Sequence, residues 1–247
     1  QVRKILRDLG HAALVVIMSM ALAFLIGAGQ ADAKTTRIKD IVNFESVFGL
    51  EELKWSNPDM PLYDVTFPFI RMVQGPVDYT PGAYRNATRE GFRIDYRNPM
   101  SQGTRAHQVA AYVVFDAPLV MLCDSPTRYM ADEACTRFIA SLPVVFDTTR
   151  VLAGEIGEYI VTARKRQDCW YVGGLTGWTP RTLDVDLSLL DPGREYTATL
   201  LADDDRSAAE PARYVLSTQR VTSATRLQIP VAPGGGFALK IEPADNK

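Results

Sequence analysis

From Leu142 onward, apolar and polar residues alternate with a period of two. In "RTLDVDLSLL", Leu183, Val185 and Leu187 alternate with Thr182, Asp184 and Asp186, the mark of a strand with one buried face. The segments "GEYIVTARKRQDCWYVGGLTG", "REYTATLLADD", "ARYVLSTQRV", "TRLQIPVA" and "GFALKIEP" are further short strands between Asp, Pro and Gly turns. Roughly six short strands at this spacing predict an antiparallel β-sandwich over 142–247. "APGGGF" at 232–237 lacks the strand-to-helix context of a phosphate loop, so it reads as a hairpin turn.

Upstream, over 41–141, the pattern is mixed. "YDVTFPFIRMV" alternates Val65, Phe67 and Phe69 with polar or turn-prone neighbours, which predicts a strand running into the loop "QGPVDYTPGAYRN". "SQGTRAHQVAAYVVFDAPLVMLCDSP" has helical spacing, with Ser101 or Thr104 as N-cap and Pro118 set to kink or divide it. Asp124 and Ser125 before Pro126 predict the cap of a further short helix ending near Ile139. The fold class expected is therefore α+β, with an α/β part over 41–141 and the sandwich after it.

The first 33 residues differ from both parts. Arg3, Lys4 and Arg7 precede an uncharged, mostly apolar run over 12–29, and "ADA" at 31–33 is a small-x-small cleavage pattern. This reads as an export signal, with an uncleaved membrane anchor or a buried helix as the other readings of the run's length. The localisation expected is periplasmic or secreted, membrane-anchored if the segment is retained. The chain opens on Gln rather than Met, so its true start is expected upstream.

Composition adds mainly exclusions. A net charge of −2 over 247 residues, with no basic run, argues against a nucleic-acid partner. Cys123 and Cys135 could pair across a short loop, leaving Cys169; three buried thiols is the alternative. His11 lies in the export segment, and His107 reads as a polar position on a helix face. Neither has zinc-ligand spacing.

Candidate chemistry centres on "VNFESVFGLEELKW". Glu45 and Glu51 flank Gly49, so the two carboxylates could converge on one point, as a calcium site or a glycosidic acid/base pair requires. Acidic residues near a helix start are equally explained by the helix dipole, and spacing alone favours that reading. Asp78, Arg71, the "NAT" acceptor pattern at Asn86, and the aromatic trio Trp170, Tyr171 and Trp178 are weaker candidates. Each also has a structural explanation in turns, pairing or packing.

Longer strings shift that balance. "NFESVFGLEELKWSNPDMPLYDVTFPFIRMVQGPVDYTPGAYRNAT", "MSQGTRAHQVAAYVVFDAPLVMLCDSP" and "VFDTTRVLAGEIGEYIVTARKRQDCWYVGGLTGWTPRTLDVDLS" resemble glycoside hydrolase family 97, the α-glucosidase/α-galactosidase group, in the family's order. The resemblance implies the last part of a (β/α)8 catalytic barrel followed by the family's C-terminal β-sandwich. It further implies an exo-acting, calcium-dependent α-glycosidase of the α-glucosidase-like kind. Glu51 matches the general acid, and Glu45, with Glu51, the calcium site. A (β/α)8 barrel takes about 250 residues. Only the last third of such an enzyme is therefore expected here, inactive alone, with an incomplete calcium site. The expected partner is an oligo- or polysaccharide with a terminal α-linked sugar. A homo-oligomer through an exposed barrel edge or the C-terminal domain is also expected. The alternative is a non-catalytic carbohydrate-binding or oligomerisation sandwich.

Overall fold

A computed structural model describes residues 49–55 and 59–244. The export-like segment, Glu45 and His11 lie outside the described residues. Strands β3 (Thr148–Glu155), β4 (Tyr159–Arg166), β5 (Cys169–Thr176), β10 (Gly236–Pro243), β7 (Tyr196–Ala202) and β8 (Val215–Val221) form one antiparallel sheet in the order 3-4-5-10-7-8. A ribbon of β6 (Arg181–Asp186) and β9 (Arg226–Val231) covers one face of it. Val161, Val172, Leu239 and Ile241 of the large sheet meet Leu183, Val185, Ile229 and Val231 of the ribbon in that core.

The opposite face carries helices, which explains the texture of the central strands. β5 reads "CWYVGGLT" with almost no polar alternation because both its faces are buried. β6 alternates cleanly because only one of its faces is covered. Helix α4 (Arg105–Val114) lies on β5, β10 and β4, buried along its whole length. It approaches the sheet closely because Gly173 and Gly236 have no side chain. A Cβ on Gly173 would stand 2.9 Å from Val113 Cβ and 3.0 Å from the Ala110 carbonyl, closer than packed atoms approach.

Several expectations upstream are corrected. "YDVTFPFIRMV" is not a strand but helices α2 (Met60–Asp64) and α3 (Phe67–Ile70) and a 3-10 turn, Met72–Gln74. Pro61 and Pro68 sit in the first turns of the two helices, where proline's fixed φ helps and its missing N–H costs nothing. The Asp59 carboxylate accepts the Leu62 N–H at 3.2 Å. Helix α4, capped by Thr104, stops at Val114 rather than running to Pro118. Ala117, preceding proline, is biased away from helix. The later helix is two, α5 (Pro126–Ala131) and α6 (Glu133–Ala140), divided at Asp132, which caps α6 through the Cys135 N–H. "APGGGF" is a tight turn but not a hairpin. β9 and β10, which it joins, belong to different sheets. A two-residue parallel pair, β1 (Asn86–Ala87) with β2 (Ser101–Gln102), completes the strands among the described residues.

Candidate functional site

Glu51 lies on helix α1 (Leu50–Leu53), whose first turn closes with the Leu53 N–H on the Gly49 carbonyl at 3.0 Å. The Glu51 side chain, like Glu45, is outside what is described. Its neighbours show how the helix is held: Leu50 and Leu53 are each 1% exposed, packed in the cluster that includes Met60, Val77, Tyr79 and Ala83. Leu50 and Leu53, on either side of Glu51 and Glu52, thus anchor the turn. A small recess beside it is lined by Leu50, Lys54, Met100, Cys123 and Asp124. Trp55 stacks on Tyr96 with ring centroids 5.1 Å apart, and the Lys54 ammonium sits 5.1 Å from the Trp55 ring.

Calcium takes six to eight oxygen ligands, more than two carboxylates supply. No group of three His, Cys, Asp or Glu side chains that could hold a metal occurs among the described residues. The described residues therefore do not complete a calcium site.

The most heavily buried polar cluster lies elsewhere, between the helices and the sheet. His107 is fully buried, not the polar face residue its spacing suggested. Its Nδ1 is 3.0 Å from the Gly235 carbonyl and its Nε2 3.1 Å from Asp64 Oδ2, while the Tyr79 hydroxyl donates to Asp64 Oδ1 at 2.8 Å. Both ring nitrogens face acceptors. One hydrogen beyond those of a neutral imidazole must therefore fill the Nε2···Oδ2 contact, on the ring or on the carboxyl. Burial, with the Asp64 charge second, pushes the Tyr79 hydroxyl pKa well up, so it stays a donor.

Asp203, the residue after β7, closes the same cluster. Its Oδ2 accepts the N–H groups of Ala232 and Gly236 at 2.9 and 3.0 Å, and a Cβ on Gly235 would collide with it. Burial raises the Asp203 pKa; the Thr104 hydroxyl, the two N–H groups and nearby His107 oppose it. The Gly-rich turn is thus gripped by His107 and Asp203 together. Its Gly234 carbonyl also accepts the Thr104 N–H at 2.9 Å. This arrangement fixes α2 and α4 to the sheet. Its buried side chains, Asp64, His107 and Asp203, act as a structural lock.

The weaker candidates resolve in the same way. Asn86 turns its amide inward, donating to the Ala83 carbonyl at 3.0 Å and accepting from Arg105 Nε at 2.7 Å, so "NAT" does not present a glycan acceptor. Arg105 also binds Asp132 at 2.7 Å and the Tyr84 carbonyl. Arg71 donates to the carbonyls of Gly75 and Pro76. Asp78 is half-buried in the loop. Trp170 and Tyr171 are core residues, whereas Trp178 is half-buried beside a cleft. No disulfide joins Cys123 to Cys135. Burial pushes the Cys135 thiol up to about 11. Nothing local in sequence marks Asp64, His107 and Asp203 as partners, since they come from three distant segments. The two glycines flanking Gly235 are the only hint of a crowded turn.

Residues 145–242 match the family described as "Glycosyl-hydrolase 97 C-terminal, oligomerisation". The chain is 49% identical over 205 residues to a retaining alpha-galactosidase of Bacteroides thetaiotaomicron, a match covering 82% of this chain and 31% of that protein. A probable retaining alpha-galactosidase of Streptomyces bingchenggensis is 31% identical over 173 residues, 70% of this chain and 24% of that one. Among solved structures, a Glycoside Hydrolase Family 97 enzyme from Pseudoalteromonas sp. strain K8 in complex with acarbose superposes with a TM-score of 0.68 and 29% identity. That match covers 74% of this chain and 29% of the enzyme. A beta-arabinopyranosidase shares the fold with a TM-score of 0.63 at 23% identity, over 78% of this chain and 30% of that one. The chain thus spans less than a third of the length of each of these relatives. Sequence and fold together identify it as the C-terminal part of a glycoside hydrolase family 97 protein, a β-sandwich with part of the barrel.

Proposed function

We propose that this chain is the C-terminal part of an exo-acting retaining α-glycosidase that cleaves terminal α-galactosides. The observation that carries this is the 49% identity to a protein named as a retaining alpha-galactosidase. It moves the substrate reading from the α-glucosidase-like one towards galactosides. In this reading Glu51 is the general acid that protonates the departing glycosidic oxygen, and Glu45 with Glu51 belongs to a calcium site. A retaining reaction needs a second carboxylate about 5 Å away as nucleophile. We assign that group, and the remaining calcium ligands, to the two thirds of the relatives' length that this chain does not span. On that basis the chain alone does not turn over. The Arg3–Ala33 pattern directs it to the periplasm or outside the cell, which the N-terminal sequence of the mature protein would check.

A chimera tests the assignment. Residues 49–244 would replace the matching C-terminal part of the Bacteroides enzyme, and hydrolysis of aryl α-galactosides and α-glucosides would be followed. Activity on the galactoside that falls by orders of magnitude with Glu51→Gln supports the proposal. A folded chimera without activity, or one indifferent to Glu51→Gln, overturns it. Turnover by the isolated chain, abolished by Glu51→Gln, would overturn the claim of incompleteness.

The second reading, an oligomerisation module, is favoured by one feature of the sheet. Edge strand β3 carries a bulge between Val151 and Ala153, which disrupts further pairing. The other edge, β8, pairs with β7 in unbroken register and exposes six consecutive residues, Val215 and Leu216 among them. A regular, mostly uncharged edge is the one suited to a second chain. The two readings are compatible, because assembly through β8 leaves α1 untouched.

A further inference from the structure

A cleft of about 250 Å³ opens where the loop after β1 meets the turns following β5 and β9. Thr88, Arg89, Glu90, Trp178, Pro211 and Pro233 line it. Trp178 is held rigidly. Its indole N–H donates to Asp59 Oδ1 at 2.6 Å, and Gly234 backs the ring so closely that a Cβ there would stand 2.8 Å from Cζ3. Arg89 reaches over the ring, 5.5 Å from its centroid, and spends one guanidinium nitrogen on Asp59 Oδ2 at 3.0 Å. Its other nitrogens make no hydrogen bond among the described residues. Glu90, exposed beside it, makes neither a hydrogen bond nor an ion pair among them.

We propose that this cleft is an accessory subsite for a neutral saccharide, separate from the turn that carries Glu51. The chemistry points to that ligand class. A pre-positioned indole offers an apolar face for the C–H side of a pyranose, with its orientation already fixed by Asp59 and Gly234. Unspent donors on Arg89 and unspent acceptors on Glu90 stand side by side, as vicinal hydroxyls need, each being donor and acceptor at once. Arg89 is flanked by the Asp59 and Glu90 carboxylates, so the cleft presents no positive field that would favour an anion. A sugar takes the place of the exposed Arg89 side chain above the ring, and Asp59 keeps the guanidinium at the rim. Binding here involves no bond-making, so it is independent of the catalytic assignment above.

The test uses the full chain and titrates it with melibiose, following tryptophan fluorescence and ligand-detected NMR. Millimolar binding is expected, retained in Glu51→Gln. Glu90→Ala removes a side chain without structural partners, so folding should be unchanged while affinity falls about fivefold, the scale of one or two hydrogen bonds. Trp178→Ala should cost about tenfold or more. If that variant unfolds, Glu90→Ala and Arg89→Ala decide alone. Absence of saturable binding overturns the proposal, as does binding indifferent to Glu90 and Arg89. Galacturonate bound more tightly than melibiose also overturns it, since that marks an anion site on Arg89.

Discussion

Removing His107 is the sharpest test of how the helices are joined to the sandwich. The ring is 0% exposed and its partner Asp64 1%, so no solvent can replace what is lost. In His107→Leu, Asp64 Oδ2 loses its only partner among the described residues, while Oδ1 keeps the Tyr79 hydroxyl. Leaving Asp64 Oδ2 buried without its partner costs about 1–3 kcal/mol as an unsatisfied polar group and roughly 3–5 kcal/mol if the pair is ionic. The Gly235 carbonyl suffers less, since it still accepts the Thr176 N–H at 3.1 Å. Against a typical stability of about 5–15 kcal/mol, the variant should be close to unfolding. Urea titration followed by circular dichroism measures the loss directly. The double variant Asp64→Leu/His107→Leu should lose less than the sum of the two single variants by about 1–3 kcal/mol, because neither half of the pair is left buried without its partner. A single-variant loss below about 1 kcal/mol would refute the reasoning. Strict additivity in the double variant would refute it equally.

Other expectations follow from the same packing. Asp203, with its pKa raised by burial, binds a proton more tightly folded than unfolded. It therefore favours folding in acid and loses that contribution as pH climbs from the unfolded carboxylate range through its raised folded value. Asp203→Asn should flatten that part of the melting-temperature profile; a variant whose profile parallels wild type throughout would contradict this. Gly173→Ala places a methyl against Val113 and the Ala110 carbonyl, and should destabilise by about 1–3 kcal/mol in the same urea titration. In a thiol-labelling time course at mild alkaline pH, Cys135, buried and with its pKa pushed up to about 11, should react only after denaturant is added. Leu216→Lys on β8 should shift light-scattering mass towards the monomer without lowering the melting temperature, since Leu216 is 42% exposed.

Most of the sandwich was legible because its strands declare themselves locally between turn residues, whereas edge strand β3 (Thr148–Glu155) was not among the segments read. Leu183, Val185 and Leu187 share one face by the period of two alone, and turn residues mark the ends. Helix α4 was legible for the same reason, from its spacing and the Thr104 cap. The family was legible in long strings such as "NFESVFGLEELKW", which carry Glu51 with them. What the sequence misled on depends on partners far along the chain. Val65, Phe67 and Phe69 alternate, yet Pro61, Pro68 and the Asp59 cap turn the segment into helices packed on Tyr79 and Phe115. His107 has the spacing of a face residue, but every face of α4 is buried between the sheet and the loops, so there is no polar side for it to occupy. Its partners, Asp64 and Gly235, lie 43 and 128 residues away. Only folding brings that acid, that base and that turn to one point, because a hydrogen bond across layers leaves no periodic trace in the chain.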